Sequence, residues 1–154
     1  MNIREQLIRE LDEAREKMRA VAQLADENAE IYASWKIKEV LAHITGWDDA
    51  TIAALRAHTQ GHLPATPAER GIDYYNAETV STREALSYAH IVREWESTRE
   101  QLRQVIYNLP DAKLDQPLIF PWGPTGMVPQ IVRIMSHHES KHADEIKELL
   151  QKSA

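Results

Sequence analysis

The sequence contains no cysteine. That absence removes disulfides, thiolate metal ligands and a cysteine nucleophile together, so any thiol chemistry must use a thiol supplied from outside. Long apolar runs are missing as well. Nothing approaches the roughly 18 apolar residues that a membrane span needs, and the opening stretch MNIREQLIRELDEAREK is charged from Arg4 onward, unlike a secretory signal. An excess of positive charge is also lacking. With 18 Lys and Arg against 24 Asp and Glu, the formal net charge is -6 and the two signs are mixed, so there is no basic stripe of the kind that meets phosphates. These absences argue against nucleic acid and membranes as partners and fit a cytoplasmic protein. Period-two alternation never lasts long enough to suggest a sheet.

What the sequence does have is helical periodicity in four long stretches, which makes the class all-α, and its 154 residues suit one domain with a single sizeable core. The first stretch, about residues 2 to 26, places Ile3, Leu7, Leu11, Met18, Val21 and Leu24 at three- and four-residue steps between charges, the mark of an amphipathic helix. In the second, Ser34 is a candidate cap for a helix carrying Ile37, Val40, Leu41, Ile44, Ile52 and Leu55, with Gly46 as a mild defect inside it. The third opens with Ser81 and Glu84 in capping-box spacing and runs through Tyr88, Ile91, Trp95, Leu102, Val105 and Leu109 to Pro110. The fourth begins at Val128 or Pro129 and carries Ile131, Ile134, Met135, Ile146, Leu149 and Leu150. Apolar stripes on four such helices are the ingredients of a four-helix bundle.

The connections add to this. A short link between the first two helices favours antiparallel neighbours, whereas HTQGHLPATPAERGIDYYNAETV, between the second and third, is long enough to cross the bundle. The stretch PDAKLDQPLIFPWGPTGMV, between the third and fourth, is also long and holds Phe120 and Trp122. These two segments are expected to cover one end of the bundle, where a pocket can form.

The chemistry concentrates in residues 137 to 142, which read H-H-E-S-K-H. On a helix, positions four apart nearly eclipse, so His138 and His142 point the same way, into the stripe of Ile131, Met135 and Leu149, while His137 falls off it. Two stacked neutral imidazoles make half a site for zinc, nickel or another borderline divalent metal. The alternative is a pair of core histidines satisfied by carboxylates or water. A metal needs a further ligand, for which His43 in WKIKEVLAHITGWDD is the candidate, at the edge of its stripe. Asp48 lies nearer the middle of that face, where an unpaired carboxylate is costly. It is a ligand, a group that orients a histidine, or a sign that the helix deviates at Gly46. His58, His62 and His90 read as solvated surface residues.

The same run fits H-E-x-x-H, the zinc-protease pattern. That reading needs a further ligand downstream and an edge strand upstream. Only twelve residues follow His142, none of them histidine, and Glu139 falls toward the flank of the interior stripe, nearer solvent or a neighbouring helix than a metal. The protease is the remote reading.

His43 in WKIKEVLAHITGWDD, followed much later by H-E-S-K-H-A-D-E-I from His138, resembles the DinB-like (DinB/YfiT-like) superfamily of four-helix-bundle metalloproteins. The resemblance spans the chain, including the long central connection. It implies that His43, His138 and His142 bind a divalent metal, and it brings relatives that use low-molecular-weight thiols, among them bacillithiol transferases and mycothiol-dependent isomerases. Many members carry glutamine where this chain has Glu145, one turn beyond the pair.

Three neutral imidazoles leave a metal positively charged with at least one open position, able to acidify bound water or to deprotonate a coordinated thiol. The expected function is a metal-dependent thiol S-transferase or hydrolase acting on a small electrophile in detoxification or stress response, with Glu145 or Asp48 taking the proton. Zinc or nickel fits the donors best, with iron, cobalt or manganese also accommodated. The competing expectation is a non-catalytic bundle that binds a metal or ligand. Pairing into a homodimer through exposed helix faces accompanies either.

Overall fold

In the computed structural model, which describes residues 1–153, four long helices form the bundle. Helix α1 spans Ile3–Leu24 and starts at an Asn2 cap, whose side chain accepts from Glu5 N at 2.9 Å while the Glu5 carboxylate accepts from Asn2 N. Leu24, expected on its buried stripe, ends up exposed.

The link to the second helix is a small antiparallel ribbon, β1 (Glu30–Tyr32) and β2 (Trp35–Lys36). Ser34 sits in its turn with φ 69° and does not cap a helix. Helix α2, Ile37–Gln60, begins instead after Lys36, whose N–H donates to Glu39 at 3.0 Å, and ends at Gly61 in the left-handed region.

The central connection is not a bare loop. It contains helix α3, Ile72–Ser81, so Ser81 closes a helix where the sequence suggested it opens one. The next long helix, α4, spans Tyr88–Asn108 and is capped by Ser87, which accepts from His90 N at 3.1 Å. Between them Arg83 holds the turn, donating to Asp49 at 2.6 Å and to the Thr79 carbonyl at 3.1 Å. A one-turn helix α5 (Asp111–Leu114) and a second ribbon, β3 (Leu118–Ile119) with β4 (Thr125–Gly126), lead to α6, Val128–Lys152, with Pro129 in its first turn. Both ribbons escaped the period-two criterion because their strands are only two or three residues long.

Not every pair of chain neighbours is a pair of spatial neighbours. Helix α1 packs mainly on α6 and α2 mainly on α4, while α1 and α2, joined by the shortest link between long helices, hardly touch. The β1–β2 ribbon carries the chain across instead of folding it back.

Two apolar clusters fill the bundle. One contains Leu7, Leu11, Leu55, Leu102, Ile131 and Met135, and the other Met18, Leu41, Ile44, Ile91, Trp95 and Ile146. Between them lies a charged layer with one residue from each long helix: Arg15, Asp48, Arg99 and Glu139, all at most 2% exposed. Arg99 Nε and Nη2 donate to Asp48 at 2.8 and 3.2 Å, and Arg15 Nε and Nη2 donate to Glu139 at 2.7 and 3.2 Å. Two cations and two anions sum to zero, the condition under which charges can be buried at all.

Candidate metal centre

On either side of Glu139 in the same helix, α6 presents His138 and His142 toward His43 of α2. The Nε2 atoms of His43 and His138 are 2.8 Å apart, and those of His138 and His142 are 3.0 Å apart. The three rings meet edge to face with centroids 4.6, 5.2 and 4.6 Å apart. His43 lies at the edge of its stripe on a helical wheel, yet it is only 4% exposed because Trp35 of the ribbon packs over it, with centroids 5.1 Å apart.

The charge state follows from the surroundings. Burial, reinforced by the neighbouring rings of His138 and His142, pushes the His43 pKa down to about 3. Burial also lowers His138, to about 4, with His142 adding to the effect. His142 is lowered by burial as well, against the pull of Glu145. All three are therefore neutral at pH 7, the form in which imidazole offers a lone pair.

Three neutral rings cannot satisfy one another through a common point, because each neutral imidazole has one N–H and one lone pair. The Nδ1 of His43 is buried with no hydrogen-bond partner. A cation at the converging Nε2 atoms removes the conflict between the rings, though it supplies no partner for this Nδ1. Nitrogens bound at about 2.0–2.1 Å in tetrahedral geometry lie about 3.3 Å apart, so these rings need open by only a few tenths of an ångström. Together the three histidines form a group able to hold a metal ion.

Other residues set the centre's surroundings. Tyr32 of β1 places its hydroxyl 2.7 Å from His142 Nδ1, a contact that orients the imidazole ring. Glu145 lies close to both, and together with burial it raises the Tyr32 pKa. Asp48 and Glu139 lie in the charged layer. Asp48 is fully buried against Arg99, its pKa raised by burial against the pull of that guanidinium. Burial works to raise Glu139 too, but Arg99 and Arg15 outweigh it and hold its carboxyl below the usual range.

Glu139 is thus buried between helices and not on a solvent-facing flank, and both its oxygens are engaged by arginines. A protease base must instead reach a metal-bound water, so the geometry argues against H-E-x-x-H chemistry. His58, expected in solvent, bonds through Nε2 to the Lys113 carbonyl at 2.8 Å.

A cavity of about 370 Å³ opens onto all three histidines and is walled by Trp47, Trp122, Ile72, Ile134 and Met135, with Asn76 the other polar side chain. Both long connections contribute, and Ala68 N donates to the Pro121 carbonyl at 3.0 Å to join them. The site is not sealed.

The family model for the DinB superfamily matches residues 10–146. The chain belongs to the DinB superfamily. No curated protein matches it in sequence. Among solved structures, a mycothiol-dependent maleylpyruvate isomerase superposes with a TM-score of 0.80 at 13% identity, covering 95% of this chain and 61% of that one. The chain therefore spans less than two thirds of that enzyme's length. A protein from Streptococcus pneumoniae gives 0.78 at 16% identity, with 97% and 91% covered, and an uncharacterised protein from Escherichia coli UTI89 gives 0.76 at 14%, with 97% and 94% covered. At these identities the likeness is one of fold, and for this DinB superfamily member the histidine geometry above is independent of it. No helix among the described residues is long and apolar enough to cross a membrane.

Proposed function

We propose that the protein is a divalent-metal-dependent enzyme, a thiol S-transferase or hydrolase acting on a small electrophile in detoxification or stress response. The observation that carries this reading is the convergence of three neutral imidazoles at the floor of an open cavity. A structural metal has no need of such an opening.

His43, His138 and His142 would hold zinc or nickel. The bound metal supplies positive charge that acidifies a thiol or water placed on it. Tyr32 keeps His142 in position, and the ribbon packs Trp35 against His43. Glu145, beside Tyr32 and His142, accepts the proton that the thiol or water loses. Asp48 shares the candidacy by charge alone, but its oxygens are held by Arg99 inside the bundle, so Glu145 is the better acceptor.

Since the sequence has no cysteine, the thiol comes from outside, and the structural likeness to a mycothiol-dependent isomerase supports a low-molecular-weight thiol. A cytoplasmic homodimer formed of single-domain chains completes the reading; its stoichiometry is checked by light scattering.

The test is turnover of an electrophile panel by metal-loaded protein supplied in turn with bacillithiol, mycothiol, glutathione or water. The proposal expects one combination to turn over and the activity to vanish in His138→Ala. No turnover with any of them, in protein shown to hold metal, leaves the non-catalytic binding bundle as the reading.

A further inference from the structure

One polar group in the cavity is neither a candidate metal ligand nor the proposed proton acceptor, although its side chain reaches His43 closely enough to work against the lowering of that ring's pKa. Asn76, on α3, presents its carboxamide at the cavity wall. Trp47 Nε1 lies 2.7 Å from that carboxamide, and an indole N–H can only donate. The Asn76 oxygen must therefore face the indole, which turns the amide nitrogen the other way. That nitrogen has no hydrogen-bond acceptor among the described residues and is not one of the buried orphans, so its two N–H donors are free for a ligand.

The donor is also held still. Trp47 packs edge to face on Tyr75 and Trp122, with centroids 4.7 and 5.9 Å apart. Tyr75 donates to the Gly46 carbonyl at 2.5 Å, fixing α3 to α2. This approach depends on Gly46, since a Cβ there would lie 2.1 Å from Thr79 Oγ1. A donor fixed by such a shell costs little ordering when a ligand binds.

The rest of the wall is uncharged: two indoles, two isoleucines and a methionine. One thiolate or hydroxide would take up half the charge of a bound divalent ion, and the remaining single charge would sit at the floor among the three histidines. A carboxylate elsewhere on the substrate would then lie against apolar groups, where an unpaired charge is costly.

We infer that Asn76 is a substrate-binding residue and that the cavity takes an uncharged electrophile, an apolar body bearing one acceptor oxygen such as the carbonyl of an enone, with Asn76 Nδ2 donating to that oxygen. The electrophile, and the thiolate or hydroxide that offsets the metal's charge, rest on the proposed function; the free donor of Asn76 does not.

Binding is measured by tryptophan fluorescence and calorimetry on the metal-loaded chain with three probes: benzalacetone, a neutral enone; cinnamate, an anion with the same aryl-alkene skeleton; and the hydrocarbon lacking the oxygen. Benzalacetone is expected to bind about tenfold tighter than the hydrocarbon, the worth of a hydrogen bond of about 1.4 kcal/mol, and tighter than cinnamate. In Asn76→Ala the advantage over the hydrocarbon disappears while bound metal is unchanged. Asn76→Asp, which keeps an oxygen for Trp47 but loses the donor, loses it too, and it carries the test if the alanine variant loosens α3.

Cinnamate binding as tightly as benzalacetone, or an advantage that survives both substitutions, overturns the inference. Turnover is not read here. Asn76-dependent enone binding in a protein that turns nothing over supports this inference and removes the proposed reaction, whereas turnover with a preference for cinnamate does the reverse.

Discussion

Replacing Glu139 with glutamine takes one negative charge out of a four-charge layer that otherwise sums to zero. In the variant Arg15 loses a carboxylate at 2.7 Å and Arg99 loses one at 3.4 Å, leaving Asp48, with the part-exposed Glu96 at 3.1 Å from Arg15, to balance two guanidiniums that are 1% and 2% exposed. Removing one partner from a buried ion group costs about 3–5 kcal/mol. For a domain of this size each kcal/mol moves the melting temperature by about 2–4 °C, so a drop of roughly 6–20 °C is expected. Glutamine keeps the shape and an acceptor for Trp95 Nε1, 3.3 Å away, so the loss measures charge and not a cavity. The assay is urea unfolding of metal-free protein followed by circular dichroism, with the m-value compared so that only the midpoint carries the result. A second arm pairs Glu139→Leu with Arg15→Met. Apolar replacement of a whole ion pair is often neutral, so this double variant is expected to regain much of what the single change loses. The reasoning is refuted if Glu139→Gln unfolds within about 1 kcal/mol of the parent yet loses turnover. Glu139 would then act at the metal, as an H-E-x-x-H base does.

Four further outcomes follow. Saturating metal at about a hundred times its dissociation constant should stabilise the protein by about 2.7 kcal/mol, seen as a melting shift that chelator reverses and His138→Ala abolishes. Tyr32→Phe should keep the fold but weaken metal binding about 10–100-fold, read by competition with a chromophoric chelator. Gly46→Ala should cost about 1–3 kcal/mol through overpacking, because the added methyl meets the Thr79 side chain at 2.1–2.8 Å; a melting temperature unchanged from the parent counts against the close approach of α3. The fourth concerns pH. The folded metal-free protein holds His43 and His138 near pKa 3 and 4, whereas the unfolded chain protonates them near 6.5. Unfolding therefore takes up protons, so stability is full above about pH 6.5 and falls as pH drops toward 4. Urea midpoints of metal-free protein between pH 8 and 5, compared with His43→Ala, check the sign.

The helices were legible because their apolar residues recur at three- and four-residue steps, and the bundle followed from them. Their arrangement was not. Loop length suggested α1 beside α2, but the segment between them forms a ribbon, and pairing is decided by faces that periodicity does not identify. Helix α3 was hidden because it is mostly exposed, with Thr79 its one buried residue, so no apolar stripe marked it. The capping-box signal at Ser81 was misleading for a local reason: Arg83 turns the chain there, and Ser87 provides the cap.

The charged layer was written in the sequence in a form easily passed over. Leu7, Leu11, Arg15 and Met18 keep the same spacing as Ile91, Trp95, Arg99 and Leu102, so each arginine occupies a core position of its helix. Asp48 and Glu139 break the stripes of α2 and α6 in the same way. Charges that interrupt an apolar stripe must be paired, and two cations and two anions spread over four helices can pair only when those helices meet. Considered one at a time, Asp48 looked like a proton acceptor and Glu139 like a flank residue of α6. Together they account for one another, which leaves Glu145, outside the layer and beside Tyr32 and His142, as the proposed proton acceptor. That step carries its own test. Glu145→Gln should lower turnover by about 10²–10⁴ without the loss of stability expected of Glu139→Gln, and the reverse pattern would exchange the roles of the two glutamates.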